Sequence, residues 1–310
     1  MSGSTSAKAH IAIVAVVVIA CFGFLAWYVV PHHHGSSGTS TGVGSSPPVD
    51  ADQLLSRFEA LKKSAEAGDA QAQYDVAQCY ATGSGTPKNE ATAIIWFEKS
   101  ALAKNPLAEL EMGHRFYDGK GVPQNIQRGA ANFELAANAG NAEAQFWTGH
   151  CYDVNQGALG RGSAFPWYLK SAQQGFGLAQ YALSFNGEGM LTEDQCVAWC
   201  RKAADGGIAV AQVRMGNRCA DGDGVPQDFF ESAKWFKLAA DQNDCDGFFG
   251  LGVLYKKGLG VQQSRDTSVA MFKKAIDLGY KSNMTAEQMA DDQPKQQVIV
   301  NGQLITLPAK

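Results

Sequence analysis

Between residues 52 and 281 the apolar positions carry two nested periods. Within short stretches they recur every three to four residues, as in Ala72-Gln73-Tyr74, Val76-Ala77 and Tyr80, the interval of a helix with one buried face. On a longer scale the whole pattern returns about every 36 residues. One column is a G-x-G pair: Gly83/Gly85, Gly119/Gly121, Gly187/Gly189, Gly222/Gly224 and Gly258/Gly260, with Asn155/Gly157 as the variant. A second column runs Trp96, Asn132, Trp167, Trp199, Trp235 and Met271, at spacings of 36, 35, 32, 36 and 36. Two columns that keep step identify a repeat protein, in which stacked units build one continuous core.

Each unit reads as two helices. The first ends at the G-x-G, where glycine accepts the left-handed conformation that stops a helix. A turn such as Gly121-Val122-Pro123-Gln124-Asn125 follows. Asn89, Asn125 and Asp228 then stand where a second helix needs its N-cap, with Glu231 three residues after Asp228 as in a capping box. The second helix carries W-F-x-K/L-[AS]-A and ends at Gly68, Asn105, Gly140, Gly175, Gly206, Asn243 or Gly279.

These motifs resemble the Sel1-like repeat family, whose consensus includes A-Q-Y-x-L-G-x-x-Y-x-x-G-x-G-V-x-x-D and A-x-x-W-F-x-K-A-A. The resemblance covers residues 52–281. It implies an all-α fold, a right-handed superhelical solenoid of antiparallel helix pairs. A half-repeat (Leu54 to Glu66) and six pairs would give about thirteen helices. Repeat 4 lacks some three residues between Ala179-Gln180-Tyr181 and Gly187, so its first helix is expected to be short. Repeat 3 has an unusual loop, Gly157 to Gly162. The tail, residues 282–310, contains Val298-Ile299-Val300-Asn301-Gly302-Gln303-Leu304-Ile305, two strand-like runs around an Asn-Gly turn signal.

The N-terminal end is of another kind. Ile11 to Val30 is twenty residues without a charge, about 30 Å as a helix, the thickness of bilayer hydrocarbon. Trp27 and Tyr28 fall where an interfacial aromatic belt would sit. A signal peptide's apolar region would stop sooner, at a small-residue cleavage site. Val18-Ile19-Ala20-Cys21 loosely resembles a lipoprotein box, but the apolar run continues beyond it. Lys8 precedes the run and no Lys or Arg follows until Arg57. Positive-inside then places residues 1–10 in the cytoplasm and the repeats outside, in the periplasm if the cell has an inner and an outer membrane. Residues 31–51, rich in Gly, Ser and Pro, read as a tether with a reach of about 25 Å. His32, His33 and His34 within it read as a solvated run.

Composition narrows the function. The net charge of −4 has both signs interspersed, so no basic stripe addresses a nucleic-acid backbone. Some cysteine-rich Sel1-like proteins bind or hydrolyse β-lactams, so the resemblance raises an enzymatic alternative, and a peptidoglycan-associated envelope protein is another. Ser-x-x-Lys, Lys-Thr-Gly and Gly-x-Ser-x-Gly are all missing from the sequence. His114 and His150 share one repeat column and read as solvated side chains, not as a metal pair. No cofactor is expected. Six cysteines lie outside the apolar run, and they read either as small core hydrophobes or as disulfide partners. In the second case Cys219 would pair with Cys196 or Cys200.

The expected function is a non-catalytic scaffold that binds another protein, tethered to the inner membrane as an envelope regulator or an immunity or adaptor protein. In A-Q-Y-x-L-G-x-x-Y the third, fifth, sixth and ninth positions are taken as packed. The fourth, seventh, eighth and eleventh then form a free stripe. It comprises Asp75, Gln78, Glu111, His114, Arg115, Asp118, Trp147, His150, Arg214, Asn217, Arg218 and Asp221. Trp147, with Arg115 and Arg218, is of the residue types that dominate binding hot spots.

Overall fold

In the computed structural model, residues 51–154, 164–185, 190–291, 297–300 and 303–306 are described. The expected span at 11–30, the tether and the repeat 3 loop lie outside them. No helix among the described residues is long and apolar enough to cross a membrane.

The described repeats are all helical. Helix α1 (Ala51–Glu66) is followed by six pairs: α2 (Ala70–Thr82) with α3 (Glu90–Leu102), α4 (Pro106–Asp118) with α5 (Ile126–Asn138), and α6 (Ala142–Val154) with α7 (Phe165–Gln173). Next come α8 (Gly177–Leu183) with α9 (Glu193–Asp205), α10 (Ala209–Asp221) with α11 (Phe229–Asp241), and α12 (Cys245–Lys257) with α13 (Arg265–Asp277). A fourteenth helix, α14 (Ala286–Ala290), lies in what reads as tail, and packs Met289 and Ala290 against Phe272 of α13. Each helix packs on its sequence neighbours. Among like helices, α10 approaches α12 and α12 approaches α14, whereas no second helices approach each other to that degree. At this end of the stack the first helices therefore lie closer together than the second helices, as on an inner side.

The repeat consensus has a packing reason at each column. The sixth position is small because the aromatic of W-F lies over it: a Cβ added at Gly113 would meet the Phe133 ring at 2.5 Å, and one at Gly252 the Phe272 ring at 2.6 Å. The second-position Gln bonds back to the preceding repeat. Gln73, Gln145, Gln180 and Gln212 donate to Ala65 O, Ala137 O, Ala172 O and Ala204 O at 3.1–3.2 Å. In the G-x-G the first glycine caps the first helix in the left-handed region, as at Gly222 (φ 75°). The second crosses the start of the preceding second helix, where a Cβ on Gly260 would stand 2.2 Å from Phe229 O.

Asn89, Asn125 and Asp228 are N-caps as expected. Glu231 does not close a capping box but pairs with Lys234; the capping boxes are Thr192/Gln195 and Thr285/Gln288. The turns between repeats are displaced by one residue at two places. Lys104 (φ 61°) and Gly207 (φ 87°) take the left-handed position, not Asn105 and Gly206. Asn105 instead caps α4, accepting from Leu107 N and Ala108 N. Helix α8 is short, as anticipated, with seven residues where the other first helices of the pairs have thirteen.

The N-terminal end is finished differently from the interior. Arg57, exposed, holds the column filled elsewhere by buried small residues such as Ala93, Cys196 and Ser232, and Leu61 the column of Phe97, Phe133 and Phe236. Such polar substitution suits a capping half-repeat. At the other end, strands β1 (Gln297–Val300) and β2 (Gln303–Thr306) pair antiparallel, with Val300 opposite Gln303.

Candidate functional site

The stripe read from the sequence divides into three groups in the structure. Asp118, Asn217 and Asp221 are exposed. Asp75, Gln78, Glu111, His114, Trp147 and Arg214 are half-buried, while Arg115, His150 and Arg218 are buried. The eighth position is therefore a packing column, and its assignment to a free face is corrected.

The two buried arginines show why. Arg115 reaches under its own G-x-G to Glu90 at the start of the preceding second helix, and Arg218 does the same to Glu193. Arg115 Nε also lies 3.0 Å from Glu111 Oε1, and Arg218 Nη1 donates to Asp223 O at 3.0 Å. The Arg115 guanidinium holds the Glu90 carboxyl below its ordinary range. These cations fasten one repeat to the next, so they are not available as partner anchors.

Trp147 is likewise more built-in than a free anchor. Its ring stacks on Phe133 at 5.7 Å and meets His114, Tyr117, Phe146 and His150 at 5.1–5.8 Å. It joins the core of repeats 2 and 3 to that of repeats 3 and 4. His150 shares a hydrogen bond with Tyr117 Oη at 3.3 Å, and burial pushes its pKa down to about 4, so the ring is neutral at neutral pH. His114 Nε2 lies 3.4 Å from Glu143 Oε1. Neither histidine is the solvated side chain expected. Among the described residues no cluster of three or more His, Cys, Asp or Glu is placed to hold a metal.

Arg214 differs in kind from Arg115 and Arg218. Its guanidinium lies 3.7 Å from the Phe185 ring centroid, and one Nη donates to Ser184 O at 3.2 Å, at the end of the shortened α8. Its buried Nε has no hydrogen-bond partner, which is true of Arg218 as well; what sets Arg214 apart is that no described carboxylate lies within ion-pair distance of it. Asp75 and Gln78 line a cleft of about 250 Å³ between α1 and α2, together with Arg57, Leu61 and Cys79.

Cys196, Cys200 and Cys219 are free thiols, all buried. Cys200 and Cys219 belong to one core cluster with Tyr181 and Met215, and burial raises the pKa of all three thiols. The expected bridge is not formed; they pack as small hydrophobes.

On the outer side the second helices carry a ladder that the sequence reading passed over. Lys99 lies over Trp96, Lys170 over Trp167 and Lys202 over Trp199, at 4.1–4.6 Å. The W-x-x-K spacing is its signal, since residues three apart share a helix face.

Several known proteins are similar. A Sel1 repeat protein from Oxalobacter formigenes is 21% identical and superposes with a TM-score of 0.65, over 76% of this chain and 94% of that one. A protective antigen of uropathogenic Escherichia coli strains, displaying an SLR fold, is 26% identical with a TM-score of 0.51, over 76% of this chain and 62% of that one. The rat protein DAP3-binding cell death enhancer 1 is 32% identical over 85 residues, 27% of this chain. The chain matches only 16% of that relative's length. The Sel1 repeat itself is matched at residues 70–105, 106–141, 142–176, 177–208, 209–244 and 249–280, well over half of the sequence, and the chain belongs to the Sel1 repeat family.

Proposed function

We propose that this protein is a non-catalytic scaffold whose inner face binds another protein. The observation that carries the reading is the row of first-helix side chains left over from packing: Asp118, Asn217 and Asp221 exposed, Asp75 and Arg214 half-exposed, on the side where the first helices converge. Stacked-repeat proteins use such extended surfaces for partners. The uncharged run at 11–30 and the Gly/Ser/Pro-rich segment after it support a tether to the inner membrane, with the repeats displayed in the periplasm. An envelope regulator, or an immunity or adaptor protein, fits that placement.

Two experiments test this. A photo-cross-linking amino acid at Asn217 or Asp118 should give a discrete protein adduct in the native host, and one at Lys237 on the outer side should not. Equal labelling from both sides, or none from the inner one, counts against the scaffold. Alkaline phosphatase fused after Lys310 should be active, since it matures only in an oxidising compartment; an inactive fusion beside an active cytoplasmic reporter at the same site would reverse the topology.

A further inference from the structure

We propose that Arg214 is the anchor of the inner face and that it receives a carboxylate from the partner segment. The inference rests on the reading of that face as a protein-binding surface. The contrast with Arg218, one turn further along α10, carries the argument. Both arginines leave the same helix, and both are at least half withdrawn from water. Arg218 has two carboxylates within the chain, Glu193 and Asp223, against its Nη1. Arg214 has Ser184 O and the face of the Phe185 ring, but no described carboxylate.

A guanidinium withdrawn from water without a carboxylate in contact is costly: burial and then the like charge of Arg218 disfavour it, and the more distant Asp223 offsets this only in part. Packing alone does not require a cation here, because the same column holds Asp75, Glu111, Trp147, Ala182 and Gly250 in the other repeats. Phe185 and Ser184 hold the group at the end of α8, the one first helix of the pairs that stops early. A partner carboxylate would complete a charge-assisted hydrogen bond with a donor already oriented by its stacking on Phe185. The occupant is thus a peptide segment presenting an Asp or Glu side chain, or its own carboxyl terminus.

The test uses the full-length chain and two random dodecapeptide phage libraries, one with free carboxyl termini and one displaying the peptides within a loop. Selected peptides should show an Asp or Glu preference at one position, or a terminal carboxylate in the first library only. Their binding should weaken about tenfold or more on Arg214→Met. Asn217→Glu is the second variant: it is exposed, three residues along the same face, and offers Arg214 a carboxylate from within the chain. It should weaken the same peptides while the melting temperature stays at the wild-type value, which separates a lost anchor from a damaged fold. Selected peptides without acidic preference, or peptides that bind both variants as they bind wild type, overturn the role of Arg214 and leave the scaffold reading standing. If neither library yields a binder to the wild-type chain, both readings fall.

Discussion

Glu109 stands in the column where four repeats have Gln, and replacing it with Gln should stabilise the protein. In those repeats the amide donates to an alanine carbonyl of the preceding helix at 3.1–3.2 Å. That carbonyl also accepts the amide of the inter-repeat turn, as Ala137 O accepts from Gly140 N. In repeat 2 the corresponding oxygen is Ala101 O, which accepts from Lys104 N at 2.9 Å in the same manner. Glu109 is 4% exposed, and an ionised carboxylate has no proton to offer that oxygen. Burial accordingly raises its pKa, and Lys104 offsets this only in part. Glu109→Gln restores a buried hydrogen bond and removes the cost of the charge, together about 1–2 kcal/mol near neutral pH. The sign follows from linkage. With the folded-state pKa above the ordinary 4.5, wild-type stability from this group is intact below 4.5 and lost as pH rises through the folded value. Urea unfolding followed by circular dichroism should therefore show the variant ahead at about pH 8 and nearly level with wild type once the carboxyl is protonated. An equal or lower midpoint at about pH 8, or a gap that persists unchanged into acid, would refute the reasoning.

Three further outcomes are expected. Lys104→Gly should raise the melting temperature, because a non-glycine residue at φ 61° costs about 1–2 kcal/mol, less the chain entropy that glycine adds; a lower melting point would show that the lysine contributes more than its backbone strain. Trp147→Ala should cost about 3 kcal/mol of stability, since five aromatic rings lose contacts with it; a wild-type melting curve with impaired binding would restore it as a surface anchor. His150, buried with its pKa depressed to about 4 from 6.5, contributes stability that is present above 6.5 and lost as pH falls towards 4, up to roughly 3 kcal/mol. Removing it with His150→Gln should flatten that acid limb in a pH series of denaturation midpoints, and an unchanged limb would assign the acid sensitivity elsewhere.

The helix pairs were legible in the sequence because each consensus column has a local geometric cause: a cap at Asn89, a left-handed glycine at Gly222, a small residue beneath each aromatic. The stripe was less legible. Helical spacing shows that Arg115 and Trp147 lie on the face away from the third and fifth positions, but it does not show what covers that face. Arg115 is covered by the G-x-G loop of its own repeat, a non-local contact. A signal for it did exist within the chain. The eighth position and the first residue of the preceding second helix change together: Cys79 with Leu54, Cys151 with Ile126 and Leu254 with Phe229 are apolar, while Arg115 with Glu90 and Arg218 with Glu193 are charged. The cysteines of repeats 4 and 5 were undecided in the sequence because burial depth separates a thiol in a core from one in a bridge.

The brevity of α8 has a mechanical consequence. With six residues fewer than its counterparts, that helix is about 9 Å shorter, so repeat 4 offers its neighbours on either side less surface to hold. In a linear array each unit is stabilised only by its own folding and by its two couplings, and a load or a denaturant finds the weakest link. Repeat 4 is then the expected weak link between repeats 1–3 and repeats 5–6. Under load or in denaturant the array should open first at repeat 4.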